Sequence, residues 1–268
     1  MEMDHITLDG ESNEAAGIVL LDVDLPDITR NREVEPQKGR LEAIEDEDWE
    51  QKPQEIPMVM AVVGESQTDL TSKYMAARRW LLRGGAIRRL SMSELPGYHF
   101  KGVITKVTKS EVTDKWIKFT VTFRANPSCP LRVLTQQPGF IPAFDTPVPE
   151  QITAENATCS GTFSEPGFLP EVEYEGIHEA ELYIVATGSW TTLSIGGAEG
   201  LTINWEADNK TVYIDCEHQK IYYLDAGQIV RLDSVTTGDF PAVKDTFAMM
   251  VGGTGLNVTV RLLAIERG

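Results

Sequence analysis

A single short helix followed at once by a long two-stranded ribbon constrains this chain more than any other feature. Residues 66–85 read SQTDLTSKYMAARRWLLRGG. Leu70, Tyr74, Ala77 and Leu81 recur at helical spacings, which places them on one face. Ser66 or Thr68 can cap the start, and Asp69 suits the positive end of the helix dipole. Arg78, Arg79 and Arg83 crowd the other end, and Gly84 and Gly85 can stop the helix. Ile87–Ser93 is then an expected strand, Leu95-Pro96-Gly97 a turn and Tyr98–Thr108 a long strand. After a turn at Val112–Lys115, Trp116, Lys118, Thr120, Thr122 and Arg124 alternate with Ile117, Phe119, Val121 and Phe123. A period of two gives that strand one apolar face and one mostly polar face. One helix in a chain otherwise made of strands and turns is an assembly-type architecture.

The rest of the chain reads as β structure in two domains, a reasonable division for 268 residues. Ile18–Asp24 is expected as an early buried strand, and the apolar run Pro57–Val63 as a strand covered on both faces. Between them, residues 25–55 are polar, charged and without period, and include Glu45-Asp46-Glu47-Asp48. Their charge is too high to pack alone, so they are expected to form an arm or loop ordered by contacts with a neighbouring subunit. Eight prolines in residues 126–170 favour linker or edge structure. The domain boundary is placed near residue 135, giving domains 1–135 and 136–268. Beyond it, short strands are expected at Ala180–Ala186, Thr191–Ile195, Leu201–Trp205, Thr211–Asp215, Lys220–Leu224, Gln228–Leu232, Phe247–Val251 and Leu256–Leu263. Turn signals separate them, the pattern of an antiparallel sandwich.

Charge is unevenly spread. The net −17 divides into −12 over residues 1–60, +8 over 61–132 and −13 over 133–268. A basic middle can meet an acidic patch on a neighbouring copy. With no long basic run and an acidic total, nucleic-acid binding is disfavoured. No run of about 20 apolar residues is present, so membrane insertion is not expected. The acidic, polar MEMDHITLDGES start does not read as a signal peptide, so a protein made and kept in a cytoplasm until assembly is expected.

Chemistry-bearing residues form no enzyme constellation. Cys129, Cys159 and Cys216 are an odd count without a CxxC spacing. Cys216 with His218 offers two ligands where a closed zinc site needs four. Glu171, Glu173 and Glu175 alternate and so share one solvated strand face, whereas glycosidase carboxylates come from different elements; His178 nearby adds no convincing site. Gly252-Gly253-Thr254-Gly255 lacks the Lys-Ser/Thr and helix of a phosphate loop and reads as a tight turn. Neither catalytic residues, metal nor cofactor are expected. Trp190 and Trp205 remain as candidate sugar-stacking residues, against the alternative that both are buried sandwich tryptophans.

Several stretches together resemble the siphophage distal tail proteins. Thr211–Tyr222, TVYIDCEHQKIY, is similar to the family's hairpin, with Ile214-Asp215-Cys216 ending one strand and His218-Gln219-Lys220 in the turn. Thr237-Gly238-Asp239-Phe240-Pro241 resembles its Ser-Gly-Asp-Phe-Pro, and Gly252–Val260 its closing turn and strand. Trp80-Leu81, Tyr98-His99-Phe100 and Phe119-Thr120-Val121-Thr122-Phe123 follow its N-terminal order. Gln37-Lys38-Gly39-Arg40-Leu41 stands where the family often has Pro-Gly-Arg-Asp-Gly.

The resemblance implies a mainly β chain: an N-terminal tail-tube-like β-sandwich with one α-helix, and a C-terminal antiparallel galectin-like β-sandwich. It implies a virion component at the phage tail tip. There a homo-oligomeric, hexameric ring would join the tail tube protein to the tail-tip hub protein and the host-adsorption apparatus. DNA would pass through without being bound specifically. The alternative from another class is a carbohydrate-binding adsorption module carried by the C-terminal sandwich. Exposed, paired aromatics would favour that alternative.

Overall fold

The computed structural model describes residues 5–24, 53–83, 87–126, 129–143, 146–176, 179–197, 200–243 and 245–267. The chain is mainly β, and the described residues contain one α-helix. Its contacts divide it into two compact units, Met1–Pro130 and Leu131–Gly268.

The first unit holds β1 (Ile6–Leu8), β2 (Glu11–Ser12), β3 (Val19–Val23), β4 (Gln54–Val63), α1 (Gln67–Leu82), β5 (Arg88–Met92), β6 (Tyr98–Val112) and β7 (Trp116–Ala125). The strands pair antiparallel in the order β3-β4-β7-β6-β5-β1-β2. Ile56, Met58, Met60 and Val62 of β4 stand opposite Phe123, Val121, Phe119 and Ile117 of β7, and all eight are buried. This shared apolar face fixes the register, because a one-residue slip would turn every one of them to solvent. Leu70, Tyr74, Ala77, Trp80 and Leu81 of α1 are buried in the same core, where Tyr74 meets Phe119 edge-on at 5.4 Å. Ser66 caps the helix by accepting from the Asp69 N–H at 3.2 Å.

Two strand expectations change. The segment expected as a buried strand at Ile18–Asp24 forms β3, which among the described residues pairs with β4 alone and lies at the sheet edge, with Val19 and Leu21 exposed. β4 buries Ile56, Met58, Met60 and Val62 in the core shared with α1, but on its other face Val63 is 54% exposed, so the run is not covered on both faces. The acidic run within residues 25–52, and the proposed helix stop at Gly84 and Gly85, lie outside the described residues.

The second unit holds β8 (Leu131–Leu134), β9 (Cys159–Phe163), β10 (Gly167–Phe168), β11 (Glu181–Trp190), β12 (Thr192–Ile195), β13 (Leu201–Ile203), β14 (Ala207–Asp215), β15 (Lys220–Asp225), β16 (Gln228–Arg231), β17 (Thr236–Thr237), β18 (Met250–Thr254) and β19 (Asn257–Arg267). One sheet runs β16-β15-β14-β11-β19, with β8 and β9 pairing successive parts of β19. The other runs β10-β18-β12-β13-β17. Leu182, Ile184, Val212, Ile214, Val260 and Leu262 of the first sheet share a core with Leu193, Ile195, Leu201, Ile203 and Val251 of the second. That is the antiparallel sandwich arrangement.

The proline-rich stretch is a structured cover where a linker or edge was expected. The 3-10 turn at Val148–Gln151 packs on β11 and β14. Ile152, Asn156 and Ala157 are buried, and Tyr222 of β15 donates to Glu150 at 2.9 Å. Prolines break the ladder without preventing packing, and side chains supply the hydrogen bonds. Asn156 accepts from the Thr153 N–H and donates to the Gln151 carbonyl, while Gln151 bonds Ala143 and Thr146. β8 pairs with β19, so the contact division falls at Pro130, ahead of residue 135.

Candidate functional site

The candidates that the described residues offer are surfaces and individual side chains. The first is the face of the β3-β4-β7-β6 sheet opposite α1. Directly opposed residues of an antiparallel pair share a face. Trp116, Lys118, Thr120, Thr122 and Arg124 of β7 therefore lie beside Val63, Ala61, Val59, Pro57 and Glu55 of β4. On the other flank they meet Glu111, Thr108, Lys106 and Val103 of β6, and Asp22 of β3 stands beside Val59. The polar alternation along β7 predicted half of this face. The β6 half was hidden, because bulges between Ile104 and Lys106 and between Lys109 and Glu111 shift its phase twice. The face sets Asp22, Glu55 and Glu111 against Lys106, Lys118 and Arg124 among threonines, with no excess of either sign.

The arginines on and after the helix divide by role. Arg88 is buried; its guanidinium donates to the Trp80 carbonyl at 2.5 Å and the Leu81 carbonyl at 3.1 Å, and pairs with Asp9 at 2.7 Å. It thus satisfies two of the carbonyls that every helix C-terminus leaves open. Sequence spacing alone did not distinguish Arg88 from its neighbours. Burial lowers the Arg89 guanidinium to about 10, with Asp9 opposing the shift. Arg78, Arg79 and Arg83 are exposed. His99 on β6 is buried, and burial first, then Arg89 and Lys101, pushes it down to about 3. It is neutral at ordinary pH.

In the second unit, Trp190 and Trp205 are brought together edge-on, their rings 6.4 Å apart. Trp190 is only 2% exposed and presents no ring face for a sugar; it is a core side chain. Trp205 is partly exposed and stacks on Tyr223 at 4.9 Å, with Lys210 Nζ 5.6 Å from the Tyr223 ring. Tyr223 was not signalled by the sequence, since its place beside Trp205 depends on the β14–β15 hairpin.

The remaining candidates resolve individually. Glu171, Glu173 and Glu175 are exposed on an extended segment, and His178 lies outside the described residues. Burial, then Asp215, pushes the Cys216 thiol up to about 12, which disfavours the thiolate a metal needs. His218 Nδ1 lies 2.9 Å from Asp215. Among the described residues no three His, Cys, Asp or Glu side chains gather into a metal-binding group. Gly252 and Gly253 sit within β18 where a turn was expected. Gly253 has φ +129°, and a Cβ there would stand 2.0 Å from the Thr192 carbonyl oxygen. Close strand approach explains that glycine. No helix among the described residues is long and apolar enough to cross a membrane.

The fold is similar to the crystal structure of the SPP1 Dit protein, described as a paradigm of the hub adsorption apparatus in Gram-positive-infecting phages. The TM-score is 0.66 at 12% identity, covering 98% of each chain. It is also similar to a chain of the phage p2 baseplate in its activated conformation. That likeness has a TM-score of 0.55 with strontium and 0.57 with calcium, each at 10% identity over 99% of both chains. At these identities the likeness is one of fold. No protein-family model and no curated protein sequence matches the chain.

Proposed function

We propose that this chain is a non-enzymatic structural component of a phage tail tip. In this reading it is a distal tail protein whose N-terminal unit builds a ring of six identical copies between tail tube and tail-tip hub. One observation carries the reading. The fold likeness to the SPP1 Dit protein runs over 98% of both chains, so it includes both units in order. The galectin-like C-terminal unit would project outward toward the adsorption apparatus.

The charge-balanced face of the β3-β4-β7-β6 sheet suits a channel wall for DNA. A basic wall would bind phosphates and release counterions, slowing passage. Arg88 caps a helix, and Arg78, Arg79 and Arg83 are on α1 or just after it, away from that face. The sugar-binding alternative rests on Trp205 with Tyr223, since Trp190 is buried.

An antibody against this chain, applied to particles that carry it, should decorate the tail tip. Decoration elsewhere on the particle, or particles without the chain, would overturn the assignment. Turnover of cell-wall glycan or peptide by the pure protein would overturn its non-enzymatic part.

A further inference from the structure

α1 has a second, outward stripe. Met75, Arg78, Arg79 and Leu82 follow helical spacing on the face away from Leu70, Tyr74, Ala77 and Leu81. Met75 is 44% and Leu82 46% exposed, and the two arginines between them are exposed as well. Two apolar side chains one heptad apart, set among arginines, form a surface for an acidic segment that also carries apolar side chains. This chain contains one. Residues 41–50, LEAIEDEDWE, hold six acidic and no basic residues, with Leu41, Ile44 and Trp49 as apolar anchors.

We infer that the outer stripe of α1 is a docking surface, and that its occupant is the 41–50 segment of a second copy of this chain. The inference rests on the ring reading, because a head-to-tail ring requires two different, mutually complementary patches on each copy. The stripe and the segment are such a pair. The chain length outside the description suits it too. The ends of residues 25–52 leave from one end of the sheet, where the Asp24 N–H bonds the Pro57 carbonyl at 3.1 Å and Gln54 pairs with Ala125. Ala125 pairs with Gly102 and Gly102 with Arg88, the residue that holds the C-terminus of α1. Segment root and stripe thus lie along one cross-strand row. The bare length from residue 41 to 54 reaches on the order of 40 Å, enough to leave the subunit.

The test uses two full-length variants, Arg78→Glu/Arg79→Glu and Glu45→Lys/Glu47→Lys. All four positions are outside the described core, and circular dichroism verifies folding. The intact chain should oligomerise at low salt and each variant alone should be monomeric. A mixture should give a one-to-one dimer, since it keeps one good stripe and one good segment. Variants that oligomerise like the intact chain, or a mixture that stays monomeric, would overturn the inference. If the intact chain is itself monomeric, unaided ring assembly fails separately, and a synthetic 41–50 peptide decides the docking. It should bind the intact chain, weakened about tenfold or more by Arg78→Glu/Arg79→Glu, as charge-assisted contacts require. A peptide that binds only a chain lacking residues 33–50 would identify the occupant as the chain's own segment and overturn the second copy.

Discussion

Arg88 shows how much one side chain can hold. It is buried, closes the last turn of α1 through two carbonyls, and fixes Asp9 in the turn between β1 and β2. Arg88→Met keeps the volume and removes the charge, leaving those carbonyls unpaired. It is expected to cost roughly 2–4 kcal/mol in denaturant unfolding, somewhat below a fully buried pair because Asp9 is part exposed. His99 makes a pH prediction. Its folded value of about 3 lies below the ordinary 6.5, so between these pH values the unfolded chain holds more protons. Stability therefore falls as pH drops from 6.5 toward 3. His99→Leu should flatten that fall by up to one proton, measured from unfolding curves across the window; an unchanged slope would show that His99 is not the group responsible. Gly188 has φ +148°, and a Cβ would stand 2.1 Å from the Asn257 carbonyl oxygen. Gly188→Ala is expected to cost about 1–3 kcal/mol. None of these three roles was legible in the sequence, because each depends on what lies across a sheet.

At the scale of elements, local period was legible and burial was not. The helix, its Ser66 cap and its inward face follow from spacing, and so does the alternation of β7. The β12–β13 and β15–β16 hairpins emerged because Gly196-Gly197 and Ala226-Gly227 bracket them, whereas the turns expected at Thr187-Gly188, Asp208-Asn209 and Gly252-Gly253 lie inside β11, β14 and β18. β3 was misjudged because an apolar run does not reveal whether a second layer covers it. β8 and β9 were missed because proline density was read as linker or edge structure, although side-chain hydrogen bonds do there what a ladder does elsewhere. The cover over β11 and β14 makes its own prediction. Asn156 is buried and bonds two backbone groups, so Asn156→Ala should cost about 1–3 kcal/mol. It should also expose residues 146–158 to proteases that leave them intact in the native chain. Equal cleavage of both proteins would show that the segment is held by packing alone.

At the scale of the whole molecule, the sequence motifs and the fold likeness point the same way, but through different evidence. The motifs lie in the order expected of a distal tail protein, and the backbone resembles the SPP1 Dit protein at 12% identity. The sites were less legible. Two tryptophans chosen for chemistry prove to be neighbours, yet one is sealed in the core and the other stacks on a tyrosine. Trp190→Ala should therefore act on stability, costing roughly 3–5 kcal/mol as a large-to-small core change, with no separate effect on glycan binding. Glycan binding lost by Trp205→Ala at unchanged stability would instead support the sugar alternative. The central claim is assembly into a closed ring, and the mass of the purified chain in solution at low salt, with negative-stain images of the same sample, tests it most directly. The account predicts a species of six chains that appears as rings with an open centre, and that loosens as salt screens the charged contacts. A chain that remains monomeric at high concentration and low salt, and is found as a single copy in the intact tail, would contradict it.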